Sequence, residues 1–244
     1  MKALILNSGI GSRMGDITKI HPKCMTKISE NETIISRQLR LLSDLGIKEV
    51  VMTTGLFDDK LKDYCIGLNL PIKFQFVKNP RFNTTNYIYS IYCARELLND
   101  DIIFMHGDLV FTKEVLKKIF NNSESCMAVS TTIELPEKDF KAVIKNGKIQ
   151  DIGIEFFNNA VAAQPLYKIE KKDWRVWLNQ ICKYCEHDKL NCYAENAFND
   201  VSQLCNIIGL DIKDQLCMEI DNQEDLKKLI KKYKSIEKGE ENNE

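Results

Sequence analysis

Lys2-Ala-Leu-Ile-Leu-Asn-Ser-Gly-Ile-Gly-Ser-Arg13 opens on an apolar run and halts at closely spaced glycines. A short apolar run closed by glycines is the signal of a buried strand feeding a tight loop. The alternation continues downstream. Ile34, Ile35, Leu39, Leu42 and Leu45 fall at helical spacing within residues 33–45, and Gly46 stands where a helix would end. Residues 49–54 read as a second buried strand, 58–68 as a second helix and 72–77 as a third strand. The order β-α-β-α-β points to a parallel sheet covered by helices on both faces.

Residues 86–98 form an aromatic-rich helical pattern, and 101–105 a buried strand that runs into His106-Gly107-Asp108. Residues 112–120 are amphipathic. Short β-like runs follow at 126–133, 142–145 and 149–154, with Asn146-Gly147 between the last two, a strong hairpin signal. Helices are expected at 173–186 and 195–205, a short strand at 215–220 and a last helix at 221–233. Residues 1–233 therefore read as one domain, and the polar residues 234–244 as a disordered tail. The fold class is α/β: three layers, α/β/α, Rossmann-like, with a mostly parallel central sheet and a small β-rich insertion.

A chain of 244 residues, 44% hydrophobic, can bury the core of one large α/β domain without staples. A formal net charge of -1 argues against nucleic acid or a membrane surface as partner. Nine cysteines are an odd number in a long chain. With no leader-like segment before the first strand and no apolar run of membrane-spanning length, reduced thiols and a cytoplasmic location are expected.

The glycine loop fits neither common phosphate motif. Gly-x-x-x-x-Gly-Lys-Ser/Thr is absent, and the dinucleotide pattern would need glycine or alanine at Met14. What stands there is Gly9-x-Gly11-x-Arg13, then Pro22-Lys23. Glycine backbone can approach phosphates closely, and Arg13 and Lys23 are cations able to grip them. The plain alternative is a solvent-facing turn with surface cations. Asp108 follows a strand end, where ligands of open α/β sheets sit. Asp221 stands either as a second carboxylate there or as the N-cap of the last helix. Asn86 and Ser90 lie four apart, on one helix face, unless Asn86 is simply a cap. Cys182-x-x-Cys185-x-His187 with Cys192 offers zinc-type ligands. A continuous helix would instead put Cys182 and Cys185 on an apolar face with Trp174 and Leu178, so zinc is left open.

The stretch Leu4-Ile-Leu-Asn-Ser-Gly-Ile-Gly-Ser-Arg13, with Pro22-Lys23 after it, resembles the signature loop of the sugar-phosphate nucleotidyltransferase superfamily, the MobA-like NTP transferases. Within it the chain is most similar to the phosphocholine cytidylyltransferase type. The likeness runs to about Tyr233 and is strongest at this loop, at residues 86–92 with Asp108, and at Glu219-Ile-Asp221. The chain departs from the family at Asn7 and Ser8, where Ala or Gly is usual, and at Asp16, where proline is usual.

The resemblance implies a nucleotidyltransferase fold and Mg²⁺-dependent transfer of CMP from CTP to a small phosphorylated acceptor, with release of pyrophosphate. Phosphocholine-like molecules, phosphonates and phosphorylated amides are the implied acceptors, and capsule or surface-polysaccharide decoration the implied purpose. It further implies catalytic roles for Arg13 and Lys23, and nucleotide contacts from Leu6, Asn7, Ser8, Gly9, Gly11, Asn86 and Ser90. Asp108 and Asp221 would share the metal. Glu195 would receive the acceptor, with Trp174, Trp177 and Tyr193 near it in sequence. The partners are CTP and the acceptor, not nucleic acid or membrane, and a homodimer is compatible. Two other readings stand beside this one. A uridylyl- or thymidylyl-transferase acting on a sugar 1-phosphate calls for a longer chain. A non-catalytic nucleotide sensor calls for lost cations or carboxylates, yet Arg13, Lys23, Asp108 and Asp221 are all present.

Overall fold

The computed structural model describes residues 1–240, with side chains through 233. β1 (Lys2–Asn7) sends Leu4 and Leu6 into one core and Ala3 and Ile5 into the other. Burial on both faces is why the run is apolar throughout. α1 (Ile34–Asp44) starts at a capping box formed by Thr33 and Ser36. β2 (Glu49–Thr54), α2 (Asp58–Gly67) and β3 (Lys73–Lys78) complete the expected alternation, and β1, β2 and β3 pair in parallel. α3 (Tyr87–Ala94) is shorter than the expected 86–98, since residues 95–97 tighten into a 3₁₀ turn. β4 (Ile102–His106) lies parallel to β1 on its other side.

β5 (Leu109–Phe111) and α4 (Lys113–Phe120) lead into β6 (Ser125–Ser130) and the hairpin of β7 (Lys141–Lys145) and β8 (Lys148–Gly153). Lys145 faces Lys148 across a two-residue turn, in which Asn146 and Gly147 have φ of 54° and 78°. β9 (Ala160–Ile169) is a strand that the sequence reading misses. It runs antiparallel between β4 and β6, near the middle of the sheet. Pro165 disguises it. The β6–β9 register shifts between Met127 and Val129, opposite the proline, so the missing N–H falls at an irregularity.

α5 (Lys171–Glu186) and α6 (Ala194–Asn199) follow. The helix expected over 195–205 ends early. The Asn199 side chain accepts from the Ile152 amide at 2.8 Å and donates to its carbonyl at 2.9 Å, tying the helix end to β8. β10 (Ile207–Asp211), β11 (Cys217–Glu219) and α7 (Gln223–Glu240) complete the chain. α7 continues past the boundary at 234 expected for the disordered tail; residues 241–244 lie outside the described residues.

The main sheet has the order β3-β2-β1-β4-β9-β6-β10-β8-β7, and β11 pairs with β5 in a small second sheet. Pairing is parallel from β3 to β4 and becomes mixed from β9 onward. α3, α5 and α6 cover one face, with Trp174 and Trp177 at the centre of that core. α1, α2 and α4 cover the other face. The result is the expected three-layer α/β/α architecture. Among the described residues no helix is long and apolar enough to cross a membrane.

Candidate active site

A cavity of about 660 Å³ opens at the carboxyl ends of β1 and β4, the side of an open α/β sheet where ligands sit. Its floor is Leu6 to Arg13, and the loop is held open by specific contacts. Gly11 has φ of 71°, and a Cβ there would sit 3.2 Å from Lys23 Cβ and 3.3 Å from Thr18 Cγ2. Gly11 therefore both turns the chain and lets Lys23 come close. The Thr18 hydroxyl donates to the Gly11 carbonyl at 2.9 Å, and Met14 is fully buried beneath the loop. Ser8 Oγ lies 2.6 Å from Ser90 Oγ, which also accepts from Asn79 Nδ2 at 2.9 Å. Ser90 is buried and does not line the cavity. Expected to touch the nucleotide, it instead braces the loop from below.

Gly107 closes the floor opposite. Its amide donates to the Leu6 carbonyl at 2.9 Å. A Cβ at this position would fall 1.7 Å from Asn7 Oδ1 and 2.7 Å from the Leu6 carbonyl oxygen. Gly107→Ala must turn the Asn7 side chain aside and shift the Leu6 carbonyl at the start of the loop. Forced overpacking of this kind costs about 1–3 kcal/mol, so urea unfolding should show that loss together with at least a tenfold fall in turnover. Wild-type stability and turnover would show that the two segments can separate freely.

Charge is concentrated where the carboxyl ends of β4 and β11 meet. Lys23 Nζ donates to Asp108 Oδ2 at 2.5 Å and to Asp221 Oδ1 at 2.6 Å. Arg13 grips Asp221 from outside, Nη1 to Oδ2 at 3.0 Å and Nη2 to Oδ1 at 3.3 Å. The Lys23 side chain is 13% exposed and that of Arg13 67% exposed, so Lys23 is the inner cation and Arg13 the outer one. Burial opposes the Lys23 charge, but Asp108 and Asp221 outweigh it and raise its pKa. Burial likewise works against ionised Asp108, yet Lys23 and His106 hold its carboxyl below the usual range. Backbone ties fix the carboxylates too: the Ile220 amide donates to the Asp108 carbonyl at 3.0 Å.

Asp221 is not the cap of α7. Asn222 Oδ1 accepts from the amides of Glu224 at 2.8 Å and Asp225 at 3.0 Å, and thereby caps the helix. The Asp221 carboxylate is left to face the cations. Two carboxylate oxygens converging on one cationic nitrogen are a donor set suited to a hard divalent cation, which binds through oxygen. Asp108 and Asp221 therefore fit Mg²⁺.

Two cavity residues, His106 and Glu219, carry a charge pair to which the sequence reading assigns no role. His106 Nδ1 lies 2.8 Å from Glu219 Oε1, and ligating atoms of His106, Asp108 and Glu219 all lie within 4.8 Å of one another. Burial works against the His106 charge, but Glu219 prevails and lifts its pKa to about 9. Burial and the nearby Asp108 lift Glu219 to about 7 against the pull of His106. Both shifts favour a bound proton on the pair. A signal was available in sequence. Glu219 stands two residues from Asp221, and alternation along a strand puts both on one side.

The far wall is aromatic. Tyr87 and Tyr193 rings lie 5.8 Å apart, Phe140 meets Tyr193 edge-on at 5.2 Å, and all three line the cavity. Asn86 lines it while capping α3 through the Tyr87 amide at 2.7 Å. Glu195 does not reach the cavity. It is fully buried behind the wall, where it accepts from the Tyr87 hydroxyl and, at 2.8 Å, from the Tyr167 hydroxyl. Its expected contact with the acceptor is replaced by support of Tyr87. Trp174 and Trp177 are likewise core residues, fully buried, and only Tyr193 of the three expected aromatics faces the cavity.

The candidate zinc ligands are not gathered. Among the described residues, the group with convergent ligand atoms is His106, Asp108 and Glu219. His187 Nδ1 lies 2.7 Å from the Lys183 carbonyl of its own turn, and the buried Cys185 thiol turns to the Ile88 carbonyl at 3.9 Å.

Residues 3–143 match the family described as the MobA-like NTP transferase domain. A CTP:phosphoglutamine cytidylyltransferase of Campylobacter jejuni is 29% identical over 169 residues, covering 63% of this chain and 65% of the relative. A CMP-5'-(3-aminopropyl)phosphonate synthase of Streptomyces rubellomurinus is 32% identical over 119 residues, covering 49% of this chain and 19% of the relative. The matches thus span less than two thirds of either relative's length. Among solved structures, a CTP:phosphocholine cytidylyltransferase from Streptococcus pneumoniae superimposes with a TM-score of 0.74 at 18% identity, over 94% of this chain and 97% of that one. At that identity the likeness shows the fold alone.

Proposed function

This chain belongs to the MobA-like NTP transferase family, and on that premise we propose that it transfers CMP from CTP to a small phosphorylated acceptor, releasing pyrophosphate. The observation that carries the reading is the row Arg13–Asp221–Lys23–Asp108 at the strand ends. Both reactants are anions, so charge neutralisation and in-line placement dominate such a reaction.

An oxygen of the acceptor phosphate forms a bond to the α-phosphorus of CTP. The bond from that phosphorus to the bridging oxygen breaks, and pyrophosphate leaves with the electron pair. A phosphate dianion is already a nucleophile, so no general base is needed. Lys23 neutralises the α-phosphate and the incoming phosphate, and Arg13, more exposed, holds the leaving β- and γ-phosphates. Mg²⁺ held by Asp108 and Asp221 would supply further positive charge to the phosphates. The glycine loop and Asn86 hold the nucleotide, and the acceptor's other end meets Tyr87, Phe140 and Tyr193. An aromatic wall suits a cationic amine tail. The groups for which the two sequence relatives are named, a phosphoglutamine and an aminopropylphosphonate, carry such tails. The product would serve capsule or surface-polysaccharide decoration from the cytoplasm.

Pyrophosphate release with Mg²⁺ tests the reading, with CTP, UTP, dTTP, ATP and GTP each offered phosphocholine, aminoethylphosphonate, glutamine phosphate and sugar 1-phosphates. Release with CTP and one nitrogen-bearing acceptor is expected. Release confined to UTP or dTTP with a sugar 1-phosphate would overturn it.

A further inference from the structure

Lys141 opens β7 and is fully buried. A buried ammonium is costly unless its hydrogen bonds are met. Lys141 Nζ donates to the carbonyls of Ile154 at 2.7 Å, Asp139 at 3.1 Å and Glu137 at 3.4 Å, using its three donors. It also lies 4.2 Å from the centre of the Phe157 ring. These carbonyls belong to two separate segments. Residues 137–139 precede β7, while Ile154 follows β8. Both segments face the cavity, through Lys138, Asp139 and Phe140 on one side and Ile154 on the other.

We propose that Lys141 is a positioning residue that staples these two segments into one wall and so sets acceptor recognition. The proposal rests on the acceptor side of the cavity assigned above. Lys141 makes no bond to the glycine loop, so its loss should weigh on the acceptor more than on the nucleotide. A methionine at 141 would keep much of the side-chain volume and leave three carbonyls without this donor. An arginine would keep the charge and offer more donors.

The test compares wild type, Lys141→Met, Lys141→Gln and Lys141→Arg by limited trypsin digestion and by steady-state kinetics. Lys138 is exposed, and its cleavage reports release of the 137–139 segment. Lys141→Met should speed cleavage after Lys138 at least tenfold and raise the acceptor KM at least tenfold, with the CTP KM within twofold. Lys141→Arg should restore part of both. Unchanged cleavage in folded Lys141→Met and Lys141→Gln protein would overturn the staple, whether or not the protein transfers CMP. Faster cleavage with equal rises in both KM values would overturn the selective role. If wild type transfers no CMP, the cytidylyltransferase reading fails by itself and the digestion still decides the staple.

Discussion

Lys23→Met should lower turnover about 10³-fold, on the order of 4 kcal/mol of transition-state stabilisation, while tightening Mg²⁺ binding. The two effects have one cause. The Lys23 ammonium sits 2.5 Å from Asp108 and 2.6 Å from Asp221, between the carboxylates proposed to hold the metal. Removing it abolishes neutralisation of the phosphates. It also leaves two carboxylates facing each other with one fewer cation, which favours a dication there and destabilises the protein without one. Calorimetry should show a lower Kd for Mg²⁺, and thermal unfolding should show a lower Tm that added Mg²⁺ restores. Weaker Mg²⁺ binding would instead mean that Lys23 positions the carboxylates.

Asp108→Asn should reduce Mg²⁺-dependent turnover about 10³-fold or more, because a metal clamp supplies several kcal/mol of charge stabilisation. Asp221→Asn should lose less. Arg13, which grips Asp221 on its outer side, is released by that change and remains available to the leaving phosphates. The double variant Lys23→Met with Asp108→Asn should fall well short of the product of the single losses, since the groups act as a unit. Steady-state kinetics at saturating Mg²⁺ checks all three. Full additivity would separate Lys23 from the metal site.

The parallel half of the fold is legible because its inner strands are apolar runs closed by a turn signal, as at residues 2–7 and 49–54, while the edge strand β3 is more polar. β9 is not legible, because Pro165 argues against a central strand and only the register shift facing it makes room. In the site, Arg13, Lys23, Asp108 and Asp221 are brought together as sequence and resemblance suggest. Ser90 and Glu195 are not at the surface of the cavity. A polar side chain on a helix face carries no mark of whether it meets a ligand or another buried polar group, here Ser8 for Ser90 and Tyr87 for Glu195. Lys141 is hidden for the same reason, since a lysine that opens a hairpin strand reads as solvated until its three carbonyl partners are seen.

The most direct test of cytidylyl transfer follows two labels, ³²P at the α-position of CTP and ³²P at the γ-position, in separate reactions with each candidate acceptor and Mg²⁺. The α-label should appear in the CMP-acceptor product and the γ-label wholly in pyrophosphate. Transfer of the γ-label to the acceptor would make the protein a kinase, and retention of both labels in CTP that is demonstrably bound would make it a sensor; either result contradicts nucleotidyl transfer.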